Sequence, residues 1–220
     1  MSRAVLILGG AAVGGLAVYL SRNAQALDDA GAALDEAAES VSDSVGAAVN
    51  FVSEGFGFMK IANMRNIGPG ILANMNLQAM LRVIRNGEGT AGAGGYSMLF
   101  GGGSFNGFAD HPRVTVRRSG YTSTAAGAYQ MLESTWDETK RLMGLPDFSP
   151  ASQDLAAVGR IAARNALNDV LTGRFEAAIS KINREWASLP GSPYGQPVVS
   201  MDRAKRVFLA YGGNDTGGYA

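Results

Sequence analysis

The sequence predicts an α+β domain of about 140 residues, preceded by an N-terminal segment of different composition. Three observations predict it. Apolar residues recur at helical spacing over 76–86 and in several stretches after residue 125. Glycine-rich runs between them flank two short β-like stretches, 96–100 and 114–118. Before residue 70 there is no strand pattern, only an uncharged apolar run and an acidic, Ala-rich run.

The apolar run "AVLILGGAAVGGLAVYLS", residues 4–21, is closed by Arg3 and Arg22. At helical rise it spans roughly 27 Å, just short of a hydrocarbon core. Gly9, Gly10, Gly14 and Gly15 would allow a second helix to approach closely. Three readings fit: a membrane-inserting helix over residues 1–22, a signal peptide cleaved near Ala24–Ala26, or a helix packed inside a protein assembly. The first is preferred, with the lipid bilayer as partner of residues 4–21. Basic residues then weakly favour a cytoplasmic N-terminus and place the bulk of the chain in the periplasm.

Residues 23–69 read as an acidic helical stalk and linker. Leu27, Leu34, Val41 and Ala48 form one seam at seven-residue spacing, and Ala30, Ala37, Ser44 and Phe51 the other. This suits self-association through residues 27–52, or an Ala-rich helix lying on its own domain. "NIGPG", Asn66–Gly70, breaks the helix and marks the boundary to a domain over 70–213, with a flexible tail at 214–220.

The chain carries 19 basic and 19 acidic residues, with 4 basic and 7 acidic before residue 70. The remainder is only mildly basic, too weakly to argue for specific nucleic-acid binding. There are no cysteines, which excludes disulfides and thiolate chemistry. The single histidine, His111, makes no metal site, and no cofactor motif survives inspection.

Within the domain, Leu77, Met80, Leu81 and Ile84 line one face of a helix over 76–86 that Gly87 would cap. Gly87, Gly89 and Gly92 spell G-x-G-x-x-G, but a dinucleotide site needs these glycines after a strand and before a helix. Here they follow a helix. Downstream, helices are expected over 125–144, from the Ser149–Pro150 cap onwards, over 174–186, and over 200–211 with Gly212 closing the last.

Glu88 lies between the glycines. At a helix C-terminus facing a cleft, burial and the helix dipole would both disfavour its ionised form. A carboxylic acid kept protonated near neutrality can protonate a leaving glycosidic oxygen. On pattern alone a solvated loop glutamate is the ordinary alternative. Asp110 is the candidate second carboxylate for a hydrolytic route, or else a turn residue before "HPR". Trp136 and Trp186 read as core residues, with sugar stacking as the alternative.

Six blocks then occur in order: "GEGT" with Glu88, "GY" at Gly95–Tyr96, "DHPR" at Asp110–Arg113, "STAAGAYQML" at Ser123–Leu132, "FSPASQD" at Phe148–Asp154, and "WASLPGSPYGQ" at Trp186–Gln196. From about Asn74 to Gly213 the chain resembles the lysozyme-like lytic transglycosylase family typified by the phage lambda endolysin. The N-terminal seventy residues have no counterpart there. The resemblance implies a lysozyme-like fold and cleavage of the β-1,4 bond between N-acetylmuramic acid and N-acetylglucosamine in peptidoglycan strands. It implies one glutamate, Glu88, as acid and then base, with the muramyl 6-hydroxyl attacking to leave a 1,6-anhydro product. It implies substrate contacts at Tyr96, Tyr129, Gln130 and Tyr194, and no metal or cofactor. The loop from Glu88 to Tyr96 is shorter than the family's, and Ala128 replaces a common arginine. Together with the N-terminal segment, the resemblance suggests a phage virion enzyme acting during genome ejection. A membrane-tethered lysis enzyme or a wall-binding structural protein is the alternative.

Overall fold

The computed structural model describes residues 64–65, 67–118 and 120–217, all within a unit spanning Phe56–Ala220. The expected apolar helix over 4–21 and the seams over 27–52 lie outside the described residues. No helix among the described residues is long and apolar enough to cross a membrane.

A 3₁₀ turn, Pro69–Ala73, leads into helix α1, Met75–Gly87. Asn74 caps α1 by accepting the Leu77 backbone N–H at 3.0 Å, which satisfies an amide with no helical partner. The predicted stripe is the buried one: Leu77, Met80, Leu81 and Ile84 all face inward. Each such side chain contributes about 1.5–3 kcal/mol by leaving water. Helix α1 ends one residue later than expected. Glu88 is its C-cap, and the left-handed turn falls to Gly89 at φ +72°. A side chain there would clash with its own backbone.

The glycine-rich region is mostly tight turns. The stretch 96–100, expected as a strand, folds as 3₁₀ turns at Gly95–Ser97 and Phe100–Gly102, with lone bridges Met98–Ser104 and Leu99–Ala126 between. Three successive glycines permit the positive φ of Gly101 and Gly102, which a strand could not use. The regular sheet is one antiparallel hairpin of β1, Val116–Arg118, and β2, Tyr121–Ser123. The predicted strand at 114–118 is therefore shorter, and its partner, Tyr121–Ser123, was not among the predicted strands.

Helix α2, Glu133–Met143, starts later than the expected 125. Residues Ala126–Met131 form a turn closed by reciprocal backbone hydrogen bonds of 3.0 and 2.9 Å. Helix α3, Pro150–Ala163, carries the predicted cap, with Ser149 Oγ accepting from Ser152 N. Short α4 (Leu167–Leu171), α5 (Phe175–Ile182) and α6 (Met201–Ala210, capped by Ser200) complete the bundle.

Two cores flank α3. In one, Leu77, Met80 and Ile84 of α1 meet Val158, Ile161, Phe175, Ile179, Trp186 and Phe208. In the other, Trp136, Phe148, Met131, Leu145 and Ala156 pack under the glycine-rich loops, with Trp136 edge-on to Phe148 at 4.7 Å. Helix α3 serves both: Ala156 faces one core, and Ala157, Val158 and Ile161 the other. Its one buried cation, Arg160, is 7% exposed and fully partnered. It donates to Glu185 at 2.6 and 3.2 Å and to Glu138 at 2.7 Å.

Two boundaries differ from expectation. Met64 is fully buried against Gly159, so the packed body begins before residue 70. The tail expected to be flexible from 214 is tied down as far as it is described. Asn214 N donates to Asn76 Oδ1 at 2.7 Å, Thr216 N to the Gly173 carbonyl at 2.9 Å, and Lys205 pairs with Asp215 at 2.6 Å.

Glu185→Gln would leave Arg160 and Arg164 sharing too little negative charge in a buried site. The expected loss is about 3 kcal/mol in urea unfolding, far beyond that of an exposed pair.

Candidate active site

Glu88 sits where α1 ends, half-buried. Burial pushes its carboxyl above the ordinary glutamate value, against the opposing hydrogen bond from Ser188. The helix C-terminus acts in the same direction as burial. Ser188 Oγ donates to Glu88 Oε1 at 2.6 Å across 100 residues of chain. The contact depends on Gly87: a Cβ there would lie 2.6 Å from Ser188 Oγ. Gly87 is therefore a glycine because the 186–189 segment crosses against the helix, not because it caps the helix.

The loop after Glu88 is held rigidly. Thr90 is fully buried, and its hydroxyl bridges the Arg85 and Ala128 carbonyls. Arg85, 5% exposed, donates from Nη2 to the carbonyls of Thr90 and Gly92 at 3.2 and 3.3 Å. Gly95 completes the closure, since a Cβ there would stand 1.9 Å from the Thr90 oxygen.

Arg85 also stacks on the Tyr96 ring at 4.4 Å and donates to its hydroxyl at 3.3 Å. Tyr96 in turn donates to Asp154 Oδ1 at 2.8 Å, and Tyr129 to the same oxygen at 2.6 Å. Burial, then the Asp154 charge, pushes the Tyr96 hydroxyl up to about 12. These groups and Arg82, Gln78, Leu81 and Leu72 line a cavity of about 180 Å³ that Glu88 does not line.

The other residues expected to touch substrate are placed differently from one another. Tyr129 is 2% exposed, with its hydroxyl on Asp154 and its carbonyl accepting from Trp186 Nε1 at 3.2 Å. It is a pillar of the core beneath the site rather than an open contact. Gln130 is half-buried in a left-handed turn at φ +45°, donating to the Gly127 carbonyl at 3.0 Å. Tyr194 is 55% exposed and donates its hydroxyl to the Arg184 carbonyl at 2.9 Å, leaving its ring open to solvent.

Asp110 is engaged elsewhere. Its Oδ1 accepts from Trp136 Nε1 at 2.8 Å and Lys140 at 3.0 Å, and its Oδ2 from Arg113 at 3.0 Å. Partial burial would raise its pKa, but these donors outweigh it and hold the carboxyl well below the usual range. It is an anchor between the "DHPR" turn and α2, its charge already engaged by Trp136, Lys140 and Arg113. His111 is buried, its Nε2 on the Met131 carbonyl at 3.0 Å and its Nδ1 accepting from Arg113 N. Both tryptophans are core residues. No group of three or more ligating side chains is placed to hold a metal among the described residues.

The sequence and the fold both have counterparts among known proteins. The endolysin family model matches residues 78–215. The chain belongs to the endolysin family. It is 38% identical over 161 residues to an endolysin of Escherichia phage P2, covering 66% of this chain and 98% of that relative. It is 41% identical over 120 residues to the endolysin of Escherichia phage lambda, covering 54% and 76%. Bacteriophage lambda lysozyme complexed with a chitohexasaccharide superposes with a TM-score of 0.62 at 36% identity, over 64% of this chain and 97% of that one. A second structure of the lambda lysozyme gives 0.59. The endolysin domain described here therefore has the lambda lysozyme fold, helical with a two-stranded sheet.

Sequence reasoning passed over Ser188, Arg85, Thr90, Gln153 and Asp154. Thr90, Gln153, Asp154 and Ser188 all lie within the six ordered blocks, and Arg85 is a charge on the apolar face of α1. That last signal was available.

Asp110→Asn is expected to keep wall-digesting activity within about twofold while lowering stability by roughly 1 kcal/mol. Asp110 titrates below its unfolded value, so its contribution is present above about pH 4 and lost as pH falls further. The mutant's deficit in thermal unfolding should accordingly shrink on acidification.

Proposed function

We propose that this endolysin-family protein cleaves peptidoglycan glycan strands as a lytic transglycosylase, with Glu88 as both acid and base. One observation supports this above others. Glu88 is a carboxyl raised by burial at the mouth of a rigid loop, while Asp110, the other carboxylate considered, is bound by three cationic or N–H donors.

A protonated Glu88 gives its proton to the glycosidic oxygen as the C1–O4 bond breaks. The resulting carboxylate then takes the proton of the muramyl 6-hydroxyl, whose oxygen bonds to C1. No water enters, and Glu88 ends protonated as it began. A hydrolase would need a second carboxylate to activate water or form an ester. The chitohexasaccharide complex of the lambda lysozyme supports a β-1,4-linked glycan as ligand. Tyr194 is the exposed aromatic side chain suited to pack against it.

The setting is a phage. We favour a virion-associated enzyme opening the wall locally during genome ejection. The match covers nearly all of the P2 endolysin but two thirds of this chain, which leaves an N-terminal extension for a second task. In this proposal residues 4–21 insert into the host inner membrane, residues 27–52 self-associate, and the catalytic domain faces the periplasm. That both relatives are endolysins favours the second reading, a membrane-tethered lysis enzyme.

The full chain should digest purified peptidoglycan, and Glu88→Gln should lose at least about 10³-fold in rate while remaining folded. Equal digestion by both would remove Glu88 from the chemistry. Mass spectrometry of the products should find muramyl ends lighter by one water; only reducing ends would establish a hydrolase. Because the Glu88 carboxyl is raised, the alkaline limb of kcat/KM should lie above the ordinary glutamate value near pH 4.3. By the same linkage the unfolded chain loses this proton first. The stability cost of ionising Glu88 therefore appears as pH rises, and Glu88→Gln should melt no lower than the parent at pH 7. Carbonate extraction of membranes tests the anchor, which should stay with the pellet.

A further inference from the structure

We infer that Ser188 is the positioning residue for Glu88: its hydroxyl decides which carboxyl oxygen carries the acid proton and stabilises the carboxylate that follows. The inference deepens the glycosidase reading of Glu88 and rests on it.

The geometry is specific. Ser188 Oγ donates to Oε1 at 2.6 Å. An Oε1 that is already accepting a proton leaves Oε2 as the oxygen to be protonated, so the acid has one presented face rather than two. When Glu88 has given its proton away, the same hydroxyl becomes a charge-assisted donor, and such bonds are roughly twice as strong as neutral ones. It offsets the desolvation that would otherwise make the base form too costly. The serine proton stays on Oγ throughout, so Ser188 takes no part in the bonds made and broken.

The backbone is arranged to bring this hydroxyl in. The Ser188 carbonyl accepts from Val199 N at 2.9 Å, and Leu189 beside it is fully buried, its N–H on the Trp186 carbonyl at 3.1 Å. On the other side residue 87 has no Cβ, and any Cβ would reach 2.6 Å from Oγ. A glycine inside a helix costs about 1 kcal/mol relative to alanine. Here that cost is met by the Ser188 contact.

Charged groups on the neighbouring elements are committed elsewhere. Arg85, one turn back on α1, is held by Thr90, Gly92 and Tyr96. Asp154 accepts from Tyr96 and Tyr129. Glu185, upstream of Ser188, pairs with Arg160 and Arg164. Burial raises the Glu88 carboxyl, with the helix end acting the same way, and the Ser188 hydroxyl opposes them.

The test compares the full chain with Ser188→Ala, Ser188→Thr and Gly87→Ala. Two readouts are used: peptidoglycan digestion across pH, and a carbon-13 NMR titration of the glutamate carboxyls, assigned with Glu88→Gln. Ser188→Ala should lower kcat on the order of ten- to a hundredfold with KM little changed. It should also move the Glu88 titration and the alkaline limb of the rate profile to higher pH, because a bond favouring the ionised form is gone. Ser188→Thr should restore both. Gly87→Ala should mimic Ser188→Ala while its circular dichroism and melting match or exceed the parent's. An unmoved Glu88 titration in Ser188→Ala overturns the inference, whether or not the rate falls, since a purely structural serine would leave it in place. Activity surviving in Glu88→Gln would instead defeat the glycosidase reading, and the titration would still report the Ser188–Glu88 bond by itself.

Discussion

A carboxyl group withdrawn from water at the end of a helix meets two penalties, loss of hydration and the negative end of the backbone dipole. Its ionised form then needs a donor from elsewhere in the chain. In this protein that donor is Ser188, and the hydrogen bond it makes to Glu88 spans 100 residues. Much of the domain serves to hold those two groups at 2.6 Å. Helix α1 supplies one partner, the segment between α5 and α6 supplies the other, and the shared core of Ile84, Ile182, Trp186 and Leu189 fixes the separation. Gly87 removes the atom that would otherwise stand between them.

The loop beyond Glu88 is fixed by polar contacts to the Ala128 turn and to helix α3. Thr90 reaches the Ala128 turn, Gln153 of α3 donates to the Tyr96 and Phe148 carbonyls, and Asp154 collects two tyrosine hydroxyls. The low local dielectric strengthens such bonds and stiffens the loop, although the buried Nε of Arg85 is left without a partner. Such stiffness would serve the proposed acid role of Glu88, since a proton is transferred best at one distance and angle. The glycines of this loop thus have unlike duties. Gly89 turns the chain at positive φ, while Gly95 lets it pass under the Thr90 carbonyl.

How much was legible follows from what each feature depends on. The helices with a recurrent apolar stripe and a side-chain cap, α1, α3 and α6, were readable because period and capping are local. The stretch 96–100 misled because a short run of bulky residues between glycine-rich segments suits a strand, whereas three following glycines allow turns that a ladder would forbid. The turn before α2 was hidden for a related reason. Ala126 to Met131 have good helix formers, but their backbone groups close on each other instead. Of the candidate site, Glu88 was visible as an isolated carboxylate at a helix end. Tyr129 was visible as a residue but not in its role, since burial depends on α3 and Trp186, both distant in sequence. Asp110 carried a carboxylate's chemistry in the sequence, and only its three partners showed that chemistry to be used for anchoring.

The sequence by itself determined the class of domain, the family it belongs to, the helix that ends at Glu88 and the absence of thiol chemistry. These follow from composition, periodicity and ordered local blocks, and all can be judged within a few turns of chain. Tertiary structure decided which groups act on Glu88, why residue 87 is glycine, and that Asp110, Tyr129 and His111 are structural supports. The physical reason is that burial and hydrogen-bond partnership are set by contacts between segments tens of residues apart. A carboxyl's protonation depends on those contacts far more than on its neighbours along the chain.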